Sequence, residues 1–317
     1  MKVRWRLPSE SSGPAPVPPA EPPPARTVIA PGRGELFLRD TGGDGPVVML
    51  LHGWMASADM NWHGSFSDLA HAGYRVLAID HRGHGRGLRQ LEPFRLTDCA
   101  ADAAAALRVL RTGPATVVGY SMGGAIALLV ARDHPDVVSG LVLSGTTAHW
   151  QDPRMRRAWK AMGALGLALS MAPRPTWKYG LALVGLPKSP LTVWLQAELM
   201  RHSARDLAEA GRELGRFDSR SWLASIRAPV AAVITTTDDA VPPGRQRELA
   251  AALDAQVFEV PINHLEITSR AHIYNPVLLS AIATVLPGGP AGDVPGEGAD
   301  GAGEARRGGP PLSVPTT

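Results

Sequence analysis

The sequence predicts an α/β fold: a mostly parallel central sheet with helices on both faces, interrupted by a helical insertion. Three observations carry that prediction. Short apolar, β-branched runs alternate with helical patterns from Val47 to Leu143 and again from Val230 to Leu286. Most of these runs end in a polar or glycine-containing loop, which is where open α/β sheets keep their ligands. Between Ala148 and Trp222 the alternation stops, and helix-favouring residues are broken at Pro173, Pro175, Pro187 and Pro190.

The elements follow in order. Residues 27 to 40 read as a hairpin turning at Gly32-Arg33-Gly34. Val47 to Leu51 is the first fully apolar strand and leads into His52-Gly53-Trp54. Val76 to Ile79 is the next strand, and it ends in Asp80-His81-Arg82-Gly83-His84-Gly85, whose glycines cannot continue it. Thr97 is placed to cap a helix through Leu110, with Cys99, Ala103, Ala106, Leu107 and Leu110 on its apolar stripe. Ala115 to Val118 is a buried strand, and Ala125 to Val130 continues as a helix that ends near His134-Pro135. Strand Val138 to Leu143 precedes the insertion. After it come strand Val230 to Thr235, helix Arg245 to Leu253, strand Gln256 to Val260 and a last helix from Pro276 to Leu286.

The junction Gly119-Tyr120-Ser121-Met122-Gly123 fits G-x-S-x-G between a strand and a helix. A serine on so tight a turn lifts its hydroxyl clear of the backbone only if its neighbours are nearly without side chains, as Gly119, Gly123 and Gly124 are. The helix starting there leaves the Met122 N–H unpaired, aimed where an oxyanion forms. A serine hydroxyl needs a neutral imidazole to take its proton and a carboxylate to orient that imidazole. Asp238 and Asp239 both lie in the loop after Val230 to Thr235; His264 lies in the loop after Gln256 to Val260, with His272 further on.

These pieces resemble the α/β-hydrolase superfamily in its capped serine-hydrolase, esterase-like or lipase-like branch, across roughly residues 27 to 286. The residues that carry the resemblance are His52-Gly53-Trp54, Asp80-x-Arg82-Gly83-x-Gly85, Gly119-x-Ser121-x-Gly123, Asp238-x-x-Val241-Pro242 and His264. It implies Ser121 as nucleophile, His264 as base, Asp238 as the orienting acid, and the backbone N–H groups of Trp54 and Met122 as the oxyanion hole. It implies hydrolysis of a small to medium apolar carboxylic ester through an acyl-enzyme, with no metal or organic cofactor. A thioesterase, a carbon–carbon bond hydrolase, a perhydrolase or an acyltransferase would use the same triad, and a non-catalytic ligand receptor would share the fold. The family commonly has glycine before the histidine; here Asn263 stands there, a residue able to adopt the same left-handed backbone.

Composition sets the limits. The expected organisation is a Pro-rich tail over 1–26, a first core part over 27–147, a helical cap over 148–225, a second core part over 226–286 and a Gly/Pro-rich tail over 287–317, neither tail able to bury a core. A net charge of +3 with scattered arginines argues against nucleic acid as partner. The single Cys99 excludes an internal disulfide, and the first twenty residues hold no apolar signal core, so a cytoplasmic address is expected. His81 and His84 lack the further ligands of a zinc site. The apolar run Ala161 to Pro173 is too short to span a bilayer, so no stable membrane insertion is expected, and the partner is a small-molecule ester or acyl substrate. The cap residues Met162, Leu165, Leu167, Leu169, Met171, Trp177, Leu181, Leu183, Trp194 and Leu195 are expected to wall the pocket, and the cap's twelve Lys and Arg against six Asp and Glu to form a solvated outer face.

Overall fold

The computed structural model describes residues 16–151, 153–183, 185 and 189–286. The tail expected over 287–317, and residues 1–15 of the other, lie outside them. Eight strands form one sheet: β1 (Ala25–Ala30), β2 (Gly34–Asp40), β3 (Val47–Leu51), β4 (Arg75–Ile79), β5 (Ala115–Tyr120), β6 (Val138–Ser144), β7 (Val230–Thr235) and β8 (Gln256–Val260). Their order is β1-β2-β4-β3-β5-β6-β7-β8. The opening hairpin is antiparallel and β2 pairs antiparallel with β4; all other pairings are parallel. The predicted fold class is the one observed.

Period-two alternation divides each central strand between two cores. Met49, Leu51, Leu77 and Val117 pack with α3 (Leu96–Leu110) and α4 (Met122–Asp133) on one face. Val48, Leu50, Val118 and Val142 pack with α2 (Phe66–His71) and α11 (Ala271–Val285) on the other. After β3 the chain turns to β4 on one side and then to β5 on the opposite side. The carboxyl ends of β3 and β5 therefore lie side by side at the switch point, where ligands bind in open α/β sheets.

Several local expectations are corrected. Arg95 holds the N-cap position of α3 without a side-chain cap bond, and Thr97 lies inside the helix. Helix α10 (Pro243–Ala252) joins β7 to β8, and the last helix, α11, starts at Ala271, so Pro276 sits within it, past the first turn. Two short helices between β3 and β4, α1 (Ala58–Trp62) and α2, are absent from the sequence reading. The N-terminal strand begins at Ala25, and the Pro-rich segment before it is tied down: Pro23 O accepts from Arg39 Nη1 at 3.0 Å and Pro24 O from the Asp40 N–H at 3.1 Å.

The insertion contributes α5 (Pro153–Lys160), α6 (Met162–Met171), α7 (Pro173–Leu183), α8 (Pro190–Leu199) and α9 (Ala204–Leu214). Its two ends are stitched together, Trp150 N–H donating to Phe217 O at 3.1 Å and Ser219 N–H to Ala148 O at 2.9 Å. Buried charge also joins it to the core. Arg39 grips Asp59 of α1 at 2.8 and 2.6 Å, while Arg86 reaches both Asp59 and Glu198 of α8 at 3.1 Å. Pro16, Pro18 and Pro22 line a cavity of about 130 Å³ over this network, with Trp194 opposite.

Candidate active site

Ser121 sits between β5 and α4 with φ 54° and ψ −118°, a conformation that costs a non-glycine residue on the order of 1–3 kcal/mol. The elbow persists because its surroundings leave no alternative. A Cβ on Gly119 would collide with the Gly123 carbonyl, and one on Gly123 with the Leu51 carbonyl at the end of β3. Thr146 Oγ1 donates to Ser121 O at 2.8 Å, and the Ser121 N–H donates to Ser144 O at 3.0 Å. The hydroxyl is thereby fixed at the mouth of the switch point.

His264 Nε2 lies 2.9 Å from Ser121 Oγ, and its Nδ1 lies 2.7 Å from Asp238 Oδ2. Asp238 is buried, and four further groups satisfy it: the Ala240 and Val241 N–H groups at 2.9 and 2.7 Å, Thr235 Oγ1 at 2.7 Å and Gln246 Nε2 at 3.4 Å. A carboxylate so held has little freedom except toward the imidazole. Asp239 is exposed and accepts from Asn263 Nδ2 at 3.1 Å, and His272 is exposed on α11. Of the two neighbouring pairs, Asp238 and His264 are the members that meet Ser121.

Asn263 departs from expectation, since it is not among the residues with positive φ. Its side chain instead bridges to Thr237 O at 3.0 Å and to Asp239, pinning the histidine loop to the acid loop. The Tyr120 hydroxyl donates to His264 O, and burial holds this phenol far above its ordinary pKa, so it stays a neutral donor.

Trp54 and Met122 flank the serine. In the loop after β3 the Gly53 N–H is taken by Asn61 Oδ1 at 2.9 Å and the Ala56 N–H by Gly53 O at 3.3 Å. At the elbow the Ser121 and Gly124 N–H groups are likewise occupied. Neither Trp54 nor Met122 donates its N–H to a backbone acceptor among the described turns and loops. The next residue, Met55, is strained at φ 61°. The Trp54 indole runs into the insertion, where Nε1 donates to Leu207 O at 2.9 Å and the ring meets Trp159 edge-on at 5.6 Å. Leu169, Trp177, Leu199 and Leu207 form an apolar cluster around Trp54, Met55 and Met60. Leu167, Met171 and Leu183 do not belong to it: they are 62, 77 and 88 % exposed, so the expectation that they wall a pocket is overturned.

Behind the loop after β3 lies a buried cluster of histidines. His52 Nδ1–H donates to Gly53 O at 2.8 Å and Nε2 accepts from the His81 N–H at 2.9 Å, so His52 ties the loops after β3 and β4 together. Its ring lies 4.2 Å from that of His81 and 5.4 Å from that of His84, and His84 lies 5.5 Å from His202 of the insertion. Burial lowers the pKa of all four. Beside them Asp80 accepts from the Ala58 and Arg86 N–H groups at 2.6 and 2.7 Å, and burial raises it to about 6. Arg82 binds Asp102 of α3 at 2.5 and 2.8 Å and also Gln90, tying its loop to a helix as well as to itself. No cluster suited to a metal ion exists among the described residues.

Sequence reading missed Asn61, Tyr120, Thr146, Thr235 and Gln246 as supports of the site. Only Tyr120 had a local signal, its place inside the G-x-S-x-G motif.

Comparison with known proteins agrees with this fold. Residues 46–165 match the model of the alpha/beta hydrolase fold family. A pimeloyl-[acyl-carrier protein] methyl ester esterase of Chromobacterium violaceum is 33 % identical over 237 residues, which are 70 % of this chain and 88 % of that protein. Among solved structures, an esterase from Exiguobacterium antarcticum superposes with TM-score 0.70 at 21 % identity, covering 81 % of this chain and 98 % of that one. A bromoperoxidase from Bacillus anthracis does so with TM-score 0.71 at 19 % identity, covering 82 and 99 %. A relative at one-third identity along most of both chains, on the sheet and elbow just described, establishes that this chain belongs to the alpha/beta hydrolase family of enzymes.

Proposed function

We propose that the protein is a serine hydrolase that cleaves a carboxylic ester of a small to medium apolar substrate. One observation carries the reading: a continuous hydrogen-bonded line from Ser121 Oγ through His264 to Asp238, beside two backbone N–H groups without backbone acceptors. Ser121 attacks the carbonyl carbon as His264 Nε2 takes its proton. Asp238 keeps the Nδ1 proton in place and stabilises the imidazolium, while the Trp54 and Met122 N–H groups receive the developing oxyanion. His264 returns the proton to the leaving alkoxide, leaving an acyl-enzyme at Ser121. Water then enters, His264 removes its proton, and the acid and free serine are released.

The apolar cluster around Trp54 and Met55 supports an acyl chain as the recognised part. Each buried methylene contributes about 0.8 kcal/mol, so kcat/KM is expected to rise from acetyl to hexanoyl esters of one alcohol and then to fall. The test is that ester series together with labelling by a fluorophosphonate probe, Ser121→Ala being the control. A well-folded protein that takes no label and turns over no ester would overturn the reading, and a preference for acetyl would overturn the substrate class.

A further inference from the structure

Between Asp152 and Glu198 the chain carries seven Lys and Arg and no Asp or Glu. Along that stretch α6, α7 and the greater part of α8 place large apolar side chains in solvent: Leu167, Met171, Tyr179 and Leu183 are all more than 60 % exposed, and Val193 is 54 % exposed. They are not scattered. Leu167 with Met171, and Tyr179 with Leu183, are i, i+4 pairs on one face of their helices, and α7 packs beside both α6 and α8.

Helix α6 hides Met162, Gly166 and Leu169 and turns outward Gly163, Ala164, Leu167, Ala168, Ser170 and Met171, a face without any charge. A helix on a water-facing surface ordinarily carries its charged residues there. Here the charge stands at the margins and has one sign: Arg157 and Lys160 on α5, and Arg174 and Lys178 on α7, are all exposed. Clustered apolar side chains of this kind mark an interaction surface.

We infer that the outer face of α6, α7 and α8 docks the protein peripherally on an anionic lipid bilayer. The apolar side chains enter the boundary between headgroups and acyl chains, Tyr179 lies at headgroup level, and the four basic groups face the lipid charges. No described helix is long and apolar enough to cross a membrane, so the contact is one of lying on the surface. A bilayer fits better than a protein partner because the patch combines a field of one sign with large side chains that, Tyr179 apart, lack directional hydrogen-bonding groups. On α6 and α7 the side chains packed toward Trp54 are Leu169 and Trp177, not those of the exposed patch, so docking does not rest on the proposed chemistry.

The experiment is co-sedimentation of the full chain with vesicles of phosphatidylcholine alone and of phosphatidylcholine with 30 % phosphatidylserine at moderate salt. Capture by the anionic vesicles is expected, at least tenfold stronger than by the neutral ones. Each basic residue near such a surface contributes about fivefold, so Arg174→Gln with Lys178→Gln should weaken binding about 25-fold. Leu167→Ser with Met171→Ser should abolish it, with an unchanged circular dichroism melt in both variants because all four positions are exposed. Equal affinity for both vesicles, or binding indifferent to these substitutions, would overturn the inference. So would a dimer in light scattering that Leu167→Ser with Met171→Ser dissolves, which would assign the face to a second copy of the chain.

Discussion

Acid should unfold this protein early, because it buries four histidines without charge. Burial holds His81 and His202 at a pKa of about 3 against the ordinary 6.5, and holds His52 and His84 well below that value. A group depressed in this way binds fewer protons folded than unfolded, so its contribution is intact above pH 6.5 and is lost as the pH falls below it. Between pH 7 and pH 5.5 an unfolded imidazole goes from about one-quarter to about nine-tenths protonated while the buried ring stays neutral. That difference costs about 1 kcal/mol for each of His81 and His202. His52 and His84 add to the loss.

Asp80 acts in the opposite direction. Raised by burial to about 6, it takes up a proton over the same interval and returns just under 1 kcal/mol. Asp40 is pushed up by burial but held at about 2 by Arg75, the Gly42 amide and Arg26, so it contributes only at lower pH. His81 and His202, less the return from Asp80, leave a net loss of about 1–2 kcal/mol, which His52 and His84 enlarge, a sizeable part of an ordinary stability of about 5–15 kcal/mol. Guanidinium unfolding at the two pH values, with a common slope, measures it. In His81→Leu, where neither ring nitrogen had a partner to lose, the gap should narrow by about 1 kcal/mol. Equal stability at both pH values, or an undiminished gap in His81→Leu, would mean that these rings charge inside the fold and would refute the reasoning.

Other expectations concern the site and the chain's start. Ser121→Ala should lower kcat by on the order of 10³ or more without unfolding the protein, measured on the best ester of the series. Asp238→Asn and His264→Gln should each cripple acylation while Asp239→Asn and His272→Gln change kcat less than about threefold; an exchange of severe and mild members would reassign acid or base. Gly123→Ala should cost about 1–3 kcal/mol in thermal unfolding, since its Cβ must displace the Leu51 carbonyl. A chain beginning at Ala25 should be less stable by about 1–3 kcal/mol than one beginning at Pro16, because it loses the acceptors Pro23 O and Pro24 O for Arg39 and the Asp40 N–H. Equal melting temperatures would show that this segment holds nothing.

The strands and the three residues on their loops were legible because buried parallel strands write themselves as unbroken apolar runs, and because G-x-S-x-G states a steric demand locally. The choice of Asp238 over Asp239 rested on the resemblance, through the spacing to Val241-Pro242, and its physical reason is in the fold, which turns one carboxylate toward Thr235 and Gln246 and the other to solvent. Helices α1 and α2 were illegible: with five and six residues they are too short for an apolar period to show, and they form because Trp62, Phe66 and Leu69 pack on the sheet. Pro276 read as a helix start because proline favours the first turn, yet buried Tyr274 and Asn275 extend the helix before it. In the insertion, hydrophobicity alone does not say which way a leucine points, so Leu167 and Leu169, two positions apart, were read alike and face opposite ways.

Trp54 belongs to both halves of the molecule at once. Its peptide sits in the loop beside Ser121, while its indole is held by the Leu207 carbonyl, 153 positions along the chain, and by Trp159. The ring acts as a tie rod: tilting the helices above it pulls on the amide that we assign to the oxyanion. How well the remote part of a substrate seats those helices is thus transmitted to the transition state, so a poorly seating ester should lose kcat and not merely KM. Trp54→Phe, which keeps the ring and removes the Nε1 bond, would slacken the rod and flatten the dependence of kcat on acyl length.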